Sequence, residues 1–333
     1  MTVISGKANP YPRQRRYARQ LTYLIRRLGA AAFVLWAAFS LSFLILYALP
    51  SDPVTLMLGR SGQLVSIDPH QLAELRAHYL LDEPLSIQYL AALSKALTLN
   101  FGVSIQDGQP VLHTLLHAFP ATVALTFMAL LMAMVMGIGL ALAASLTRLR
   151  WLHECLLAVP AVAISLPTFW VGLLLLQLLS FYFPVFPAMG NEGLAALILP
   201  ALTLAIPTSA IIAQVLARSI ADTFRQPFIE ALRSKGVGRF QLLTRHVLHN
   251  AAIPLLSLTG IIIGSLLAGS VVSETVFSRQ GIGRLAQSAV ANQDIPMVQG
   301  IVLLAAACYI VVNLLVDLLY PLLDPRITAG GKS

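Results

Sequence analysis

The sequence predicts an all-α integral membrane protein with about six transmembrane helices. Three observations lead there. The chain has 333 residues, 57% hydrophobic and only 11% charged, where soluble domains carry roughly 25% charged residues; its mean hydropathy is +0.79. Six runs stay apolar over about the 20 residues that a spanning helix needs. The lysines and arginines collect in particular connecting segments and are missing from others, which is the signature of a fixed membrane orientation.

The elements follow in order. Residues 1–27 carry Lys7, Arg13, Arg15, Arg16, Arg19, Arg26 and Arg27 with no acid. A basic leader before an apolar run also suits a signal peptide. The run 28–49 is too long for an ordinary signal core, and Ala48-Leu49-Pro50 is a poor cleavage site, so it is read as a retained first transmembrane helix. Residues 50–119 form an external cap, with Asp52, Asp68, Glu74, Asp82, Glu83 and Asp107 against Arg60, Arg76 and Lys95. Within it, Pro69–Leu81 has helical spacing.

Residues 120–320 hold the remaining five helices, predicted at Ala121–Leu146, Cys155–Phe183, Leu194–Ala217, Leu255–Val272 and Val298–Tyr320. Pro160, Pro167, Pro200 and Pro207 fall inside two of them; prolines are tolerated in membrane helices because neighbours re-satisfy the freed backbone groups. The 147–154 loop carries Arg148 and Arg150, and the 218–254 loop carries Arg218, Arg225, Arg233, Lys235, Arg239 and Arg245, whereas 184–193 has no Lys or Arg. With six spans the basic segments share one side. The positive-inside rule makes that side the cytoplasm and puts both termini there, including the 321–333 tail. The 273–297 segment is then an external loop.

Small residues recur every fourth position in the second helix (Ala129, Ala133, Gly137, Ala141, Ser145) and the fifth (Gly260, Gly264, Ala268). This spacing lets backbones approach in lipid. It predicts close packing within the bundle, with a dimer seam at Gly264 as the alternative.

The stretch from Pro227 to Pro254 is polar and basic between two apolar spans. Pro227 suits a helix's first turn. Phe228, Ala231, Leu232 and Lys235 recur at helical spacing, and Gly236 and Gly238 stop the helix where the chain must turn. A second short helix is predicted with Phe240, Leu243, Val247 and Ala251 on one stripe. An ordinary solvated loop requires neither an apolar face nor a glycine turn; a short helix with a few apolar anchors is how a helix-in-groove contact is built.

Glu230-Ala231-Leu232, then Gly236 and Pro254, resembles the EAA loop of permease subunits of type I ABC importers. Four more segments resemble the dipeptide, oligopeptide and nickel permease family, B-type subunit: Leu49–Pro53; Asn100–Ser104 leading to Pro120-Ala121-Thr122; Glu274–Phe277 with Gly281-Ile282-Gly283-Arg284; and Asn313–Asp317 ending in Asp324-Pro325-Arg326. The sequence departs from the pattern at Leu232, in place of an alanine, at Pro227, and at Arg279-Gln280, where the family often has an aromatic and a proline. The resemblance implies a MetI-like bundle in a bacterial inner membrane and a homologous second permease. It also implies two cytoplasmic ATPase subunits holding ATP and Mg, and an external solute-binding protein. The chain itself would bind no cofactor and hold no catalytic residue. It implies that Phe228, Glu230, Ala231, Leu232, Lys235 and Gly236 meet an ATPase subunit, and that Glu274, Phe277, Gly281, Gly283 and Arg284 form an external motif. The substrate class would be peptides or a nickel or other metal chelate.

Other signals are weaker. Gly330-Gly331-Lys332-Ser333 looks like the end of a P-loop, but the first motif glycine would fall at Arg326. Gly281–Ala286 matches a dinucleotide fingerprint in letters but follows a membrane helix, not a strand. No basic stripe with interleaved aromatics suggests nucleic acid. Cys155 and Cys308 have no metal spacing, and His113 and His117 offer two ligands where metal sites need more. The intramembrane polar candidates are Ser165, Thr168, Gln177, Asn313 and Asp317, which either line a path or bond neighbouring helices. Two other classes stay open: an ion-coupled secondary transporter, which needs buried carboxylates near mid-bilayer, and a non-transporting receptor or scaffold.

Overall fold

Most of the described residues are helical, joined by turns and by two longer connections at 98–110 and 183–194. The computed structural model describes residues 12–48 and 83–323, with side chains from 25 to 46 and from 83 to 316. The Pro69–Leu81 expectation lies outside these residues. The helices are α1 (Pro12–Ala48), α2 (Leu85–Leu97), α3 (Val111–Leu146), α4 (Arg150–Ser165), α5 (Thr168–Leu176), α6 (Ala195–Phe224), α7 (Pro227–Ser234), α8 (Arg239–Leu242), α9 (Leu248–Ala251), α10 (Ile253–Val276), α11 (Ile282–Ala291) and α12 (Ile295–Leu323). A π-helical stretch, Gln177–Tyr182, extends α5, and another, Leu243–Val247, joins α8 to α9. Five helices are long and apolar enough to cross a membrane, and α4 with α5 makes a sixth if that bent pair is one span.

Several predicted boundaries change. The first helix begins at Pro12, sixteen residues before Leu28, and α6 runs on to Phe224, seven past Ala217. The second predicted helix begins at Val111, ten residues before Ala121, and runs through Pro120. The predicted single span Cys155–Phe183 is two helices bent by 99°. Leu166 (ψ 128°) and Pro167 (ψ 131°) are both extended, because proline drives the residue before it out of the α region. Pro160, Pro200 and Pro207 leave their helices continuous. The predicted external loop 273–297 is mostly helix: α10 runs to Val276 and α11 occupies Ile282–Ala291.

α6 is the central element, with 67% of its apolar window buried against 17–28% in the other spans. The small-residue row of α3 packs on it. Ala129, Ala133 and Ala141 are fully or nearly fully buried, and a Cβ on Gly137 would lie 2.7 Å from both Ser209 O and Ile212 Cγ2. The fifth-span glycines also pack within the chain. A Cβ on Gly260 would meet Asn313 Oδ1 at 2.6 Å, and one on Gly264 would meet the Tyr309 ring at 3.3 Å. Both therefore face α12. α1 lies along α12.

Candidate functional site

Two polar constructions sit at opposite ends of the bundle. α3 measures their separation: Ser145 touches one and Thr122 the other, and the 23 residues between them rise about 35 Å.

At the basic end, Gln226 is extended (ψ 145°) and Pro227 opens α7 as its first residue. The helix stops in a Schellman motif. Val237 N donates to Leu232 O (3.3 Å) and Gly236 N to Arg233 O (2.9 Å), with Gly236 left-handed at φ +80°. A Cβ on Gly236 would meet nothing within 4 Å, so glycine is required by the backbone and not by space. Ile229 is fully buried among Leu216, Ile220, Leu242, Leu243, Val247 and Ala251, with Leu232 and Val237 packed against them. Arg239 Nη2 donates to Ser145 O (2.7 Å), tying the elbow to the end of α3. The Arg233 guanidinium lies over the Phe224 ring at 5.8 Å. The elbow is thus fastened to α3 and α6.

The predicted contact face is corrected in two places. Leu232 turns inward, and the main anchor is Ile229, which the sequence reading missed; the pair Ile229/Leu232 at i,i+3 was the available signal. Phe228, Glu230, Ala231 and Lys235 face outward. In the second segment Phe240 is 66% exposed, off the stripe formed by Leu243, Val247 and Ala251, while Leu242 joins it. The π stretch is the cause. Its bonds run i→i+5 and bring Leu242 into line with Val247.

At the other end, Glu274 occupies the last turn of α10 and is 1% exposed. One oxygen accepts from Thr122 Oγ1 (2.6 Å). The other accepts from Gly283 N (2.8 Å) and Arg284 N (3.1 Å). Ile282 N donates to Thr122 Oγ1 (2.8 Å). The first three N–H groups of α11, which a helix leaves without internal partners, are therefore capped from α3 and α10. Gly281 and Gly283 make room for this. A Cβ on Gly281 would run into the Glu274 carboxylate, and one on Gly283 would lie 2.5 Å from Val271 Cα. Phe277 stands apart in a buried cluster with Leu176 and Leu199, and Arg284 Nη1 donates to Ser278 O.

Two further residues complete this end. Arg279 is 4% exposed and its Nη1 donates to Gly190 O and Ala196 O, both at 3.0 Å. Ala196 O is the carbonyl that Pro200, lacking an N–H, leaves without its helical donor. Burial pulls the guanidinium below its ordinary pKa and the Glu274 charge pulls the other way; an arginine stays charged throughout. Asp294 closes the far end of α11, accepting from Ser104 Oγ (2.6 Å), Gln106 N (3.3 Å) and Met297 N (3.2 Å). Thr122 and Arg279 carried no local signal of these roles. Asp294 did, as an acid before Ile295-Pro296 at a helix start.

Among the described side chains, the intramembrane polar candidates do not converge. Ser165 Oγ donates to Val162 O at the α4 end, Thr168 begins α5 beyond the break, and Gln177 is exposed. Asn313 Nδ2 donates to Tyr309 O. Asp317 lies in α12 with its side chain outside the described residues. His113 and His117 are both exposed, and no group of three or more metal-ligating side chains occurs among the described residues.

The family described as binding-protein-dependent transport system inner membrane components matches residues 133–329, and its N-terminal companion matches 20–126. The chain belongs to this family, as an ABC importer permease of the peptide type. A probable peptide ABC transporter permease, y4tP of Sinorhizobium fredii, is 32% identical over 313 residues, covering 92% of this chain and 98% of that protein. The glutathione transport system permease GsiC of Escherichia coli K12 is 32% identical over 309 residues, covering 92% and 99%. The inward-facing MetNI methionine ABC transporter superposes with a TM-score of 0.54 at 17% identity, over 63% of this chain and 96% of its own, and so shares the fold.

Proposed function

We propose that this chain forms half of the path by which a small peptide crosses the bacterial inner membrane. In this reading a homologous permease forms the other half, an external binding protein delivers the substrate, and two cytoplasmic ATPase subunits hold ATP and Mg. Both termini lie in the cytoplasm. The names of the relatives, a peptide permease and a glutathione permease, support peptides over metal chelates.

The carrying observation is the elbow. Phe228, Glu230, Ala231 and Lys235 face outward on a helix whose other side is locked by Ile229 to α6 and by Arg239 to α3. An ATPase cleft gripping this face would drive both helices as one body, and a packed bundle answers such a push by changing between discrete arrangements. Leu232 and Gly236 hold the lever's shape without touching the partner.

The test uses the assembled transporter in proteoliposomes. Phe228→Asp is expected to reduce copurification of the ATPase subunit at least several-fold while the permease still inserts. Gly236→Val puts a β-branched residue at φ +80°, a conformation it rarely adopts. It is expected to uncouple binding-protein-stimulated ATP hydrolysis from uptake of a dipeptide or glutathione. Wild-type assembly and uptake in both variants would sink the lever reading. Uptake that stops with a protonophore and persists without ATP would favour an ion-coupled carrier.

A further inference from the structure

We propose that α2 is a lipid-facing helix, seated in the membrane leaflet at the C-terminal end of α1 and not in the external solvent. Its depth is set by its partner. Tyr89 Oη and Ser40 Oγ are hydrogen-bonded at 2.7 Å, and the Tyr89 ring lies 5.6 Å from that of Phe39 and 5.3 Å from that of Phe43. These three α1 residues belong to the span Ile25–Leu46. Ser40 is six residues short of Leu46, about 9 Å along a helix. A side chain that meets α1 there brings its own helix to the level of the hydrocarbon or its edge.

The opposite face of α2 agrees. Ile87, Leu90, Ser94 and Leu97 fall on one narrow stripe at helical spacing, and the three apolar ones are 46%, 63% and 79% exposed. Leu85 (60%) and Leu99 (61%) extend the patch at both ends, and the helix contains no acid. At the same level α1 exposes apolar residues of its own, with Leu41, Leu44 and Ile45 55–67% exposed. The two hydroxyls of its C-terminal half are satisfied internally, as lipid favours: Ser94 Oγ donates to Ala91 O and Thr98 Oγ1 to Lys95 O. The amides of Thr98, Leu99 and Asn100 all return to carbonyls of the last turn. The single cation, Lys95, sits in the last turn, where its long stem can carry the charge to the headgroups. At 13 residues the helix is too short to span, so it lies within one leaflet.

The test is spin-label accessibility in the assembled transporter, reconstituted in phosphatidylcholine–phosphatidylglycerol vesicles. Single cysteines at Ile87, Leu90, Ser94 and Leu97 are labelled in a Cys155→Ser/Cys308→Ala background that retains uptake. Relaxation by oxygen, which partitions into lipid, is compared with relaxation by a water-soluble nickel chelate. Labels at Phe33 in α1 and Glu192 in the exposed 183–194 loop serve as lipid and solvent references. The expected oxygen-to-nickel ratio at all four sites is near the Phe33 value and several-fold above the Glu192 value. Strong nickel relaxation would place the face in water and overturn the proposal. Protection from both reagents would mean that protein covers it, either the second permease or residues 49–82, and would overturn it equally.

Discussion

Glu274→Ala is expected to cause the largest loss of stability of any single side-chain truncation in this chain. The carboxylate accepts from Gly283 N and Arg284 N, and it holds the Thr122 hydroxyl that caps Ile282 N. Each buried polar group left without a partner costs about 1–3 kcal/mol, and breaking a buried charge network typically costs about 3–5 kcal/mol. The start of α11 should detach from α3 and α10 while the basic-end elbow stays intact. Glu274→Gln keeps one carbonyl acceptor and should fall between alanine and wild type. Thermal unfolding of the purified complex, read beside ATPase copurification, checks this. A clear drop in melting temperature with normal ATPase assembly is expected; an unchanged melting temperature would show that the clasp contributes nothing.

The second large effect is expected at Gly137. A leucine there must displace the backbone oxygen of Ser209 as well as the Ile212 side chain. Overpacking a well-filled core costs about 1–3 kcal/mol, and more when backbone has to move. Because α6 is the central helix, separating it from α3 should reduce the yield of folded transporter severely, with Gly137→Ala milder in the same direction. Adding Ile212→Ala to Gly137→Ala should recover only part of the loss, since Ser209 O remains in place. Gly139→Ala, two residues along and with nothing within 4 Å of a Cβ, should be neutral or slightly stabilising, as alanine suits a helix better than glycine. Equal effects at positions 137 and 139 would reject the packing argument.

Local features were legible wherever their causes are local. Pro227 and Gly236 bracket α7 because a missing N–H and a left-handed φ are properties of single residues. The small-residue row of α3 announced a close helix contact through its spacing alone. Pro167 illustrates the limit: its effect on Leu166 is local, but whether a proline kinks a helix or breaks it depends on what re-satisfies the backbone. At Pro200 the guanidinium of Arg279 supplies the missing donor to Ala196 O, and the helix continues.

By itself, the sequence determined the membrane class, the approximate number of spans, the uneven placement of charge among their connections and the elbow with its glycine. Composition, hydropathy and short-range periodicity carry those properties, and each is a sum over neighbouring residues. Only the tertiary structure decided that Ile229 faces inward and Phe228 outward, that Phe240 leaves its stripe, and that Glu274 caps a helix jointly with Thr122, 152 residues away. Those outcomes depend on which surfaces meet. A buried carboxylate looks the same in sequence whether it serves a pathway or closes a helix end, and the three donors converging on it are what distinguish the two.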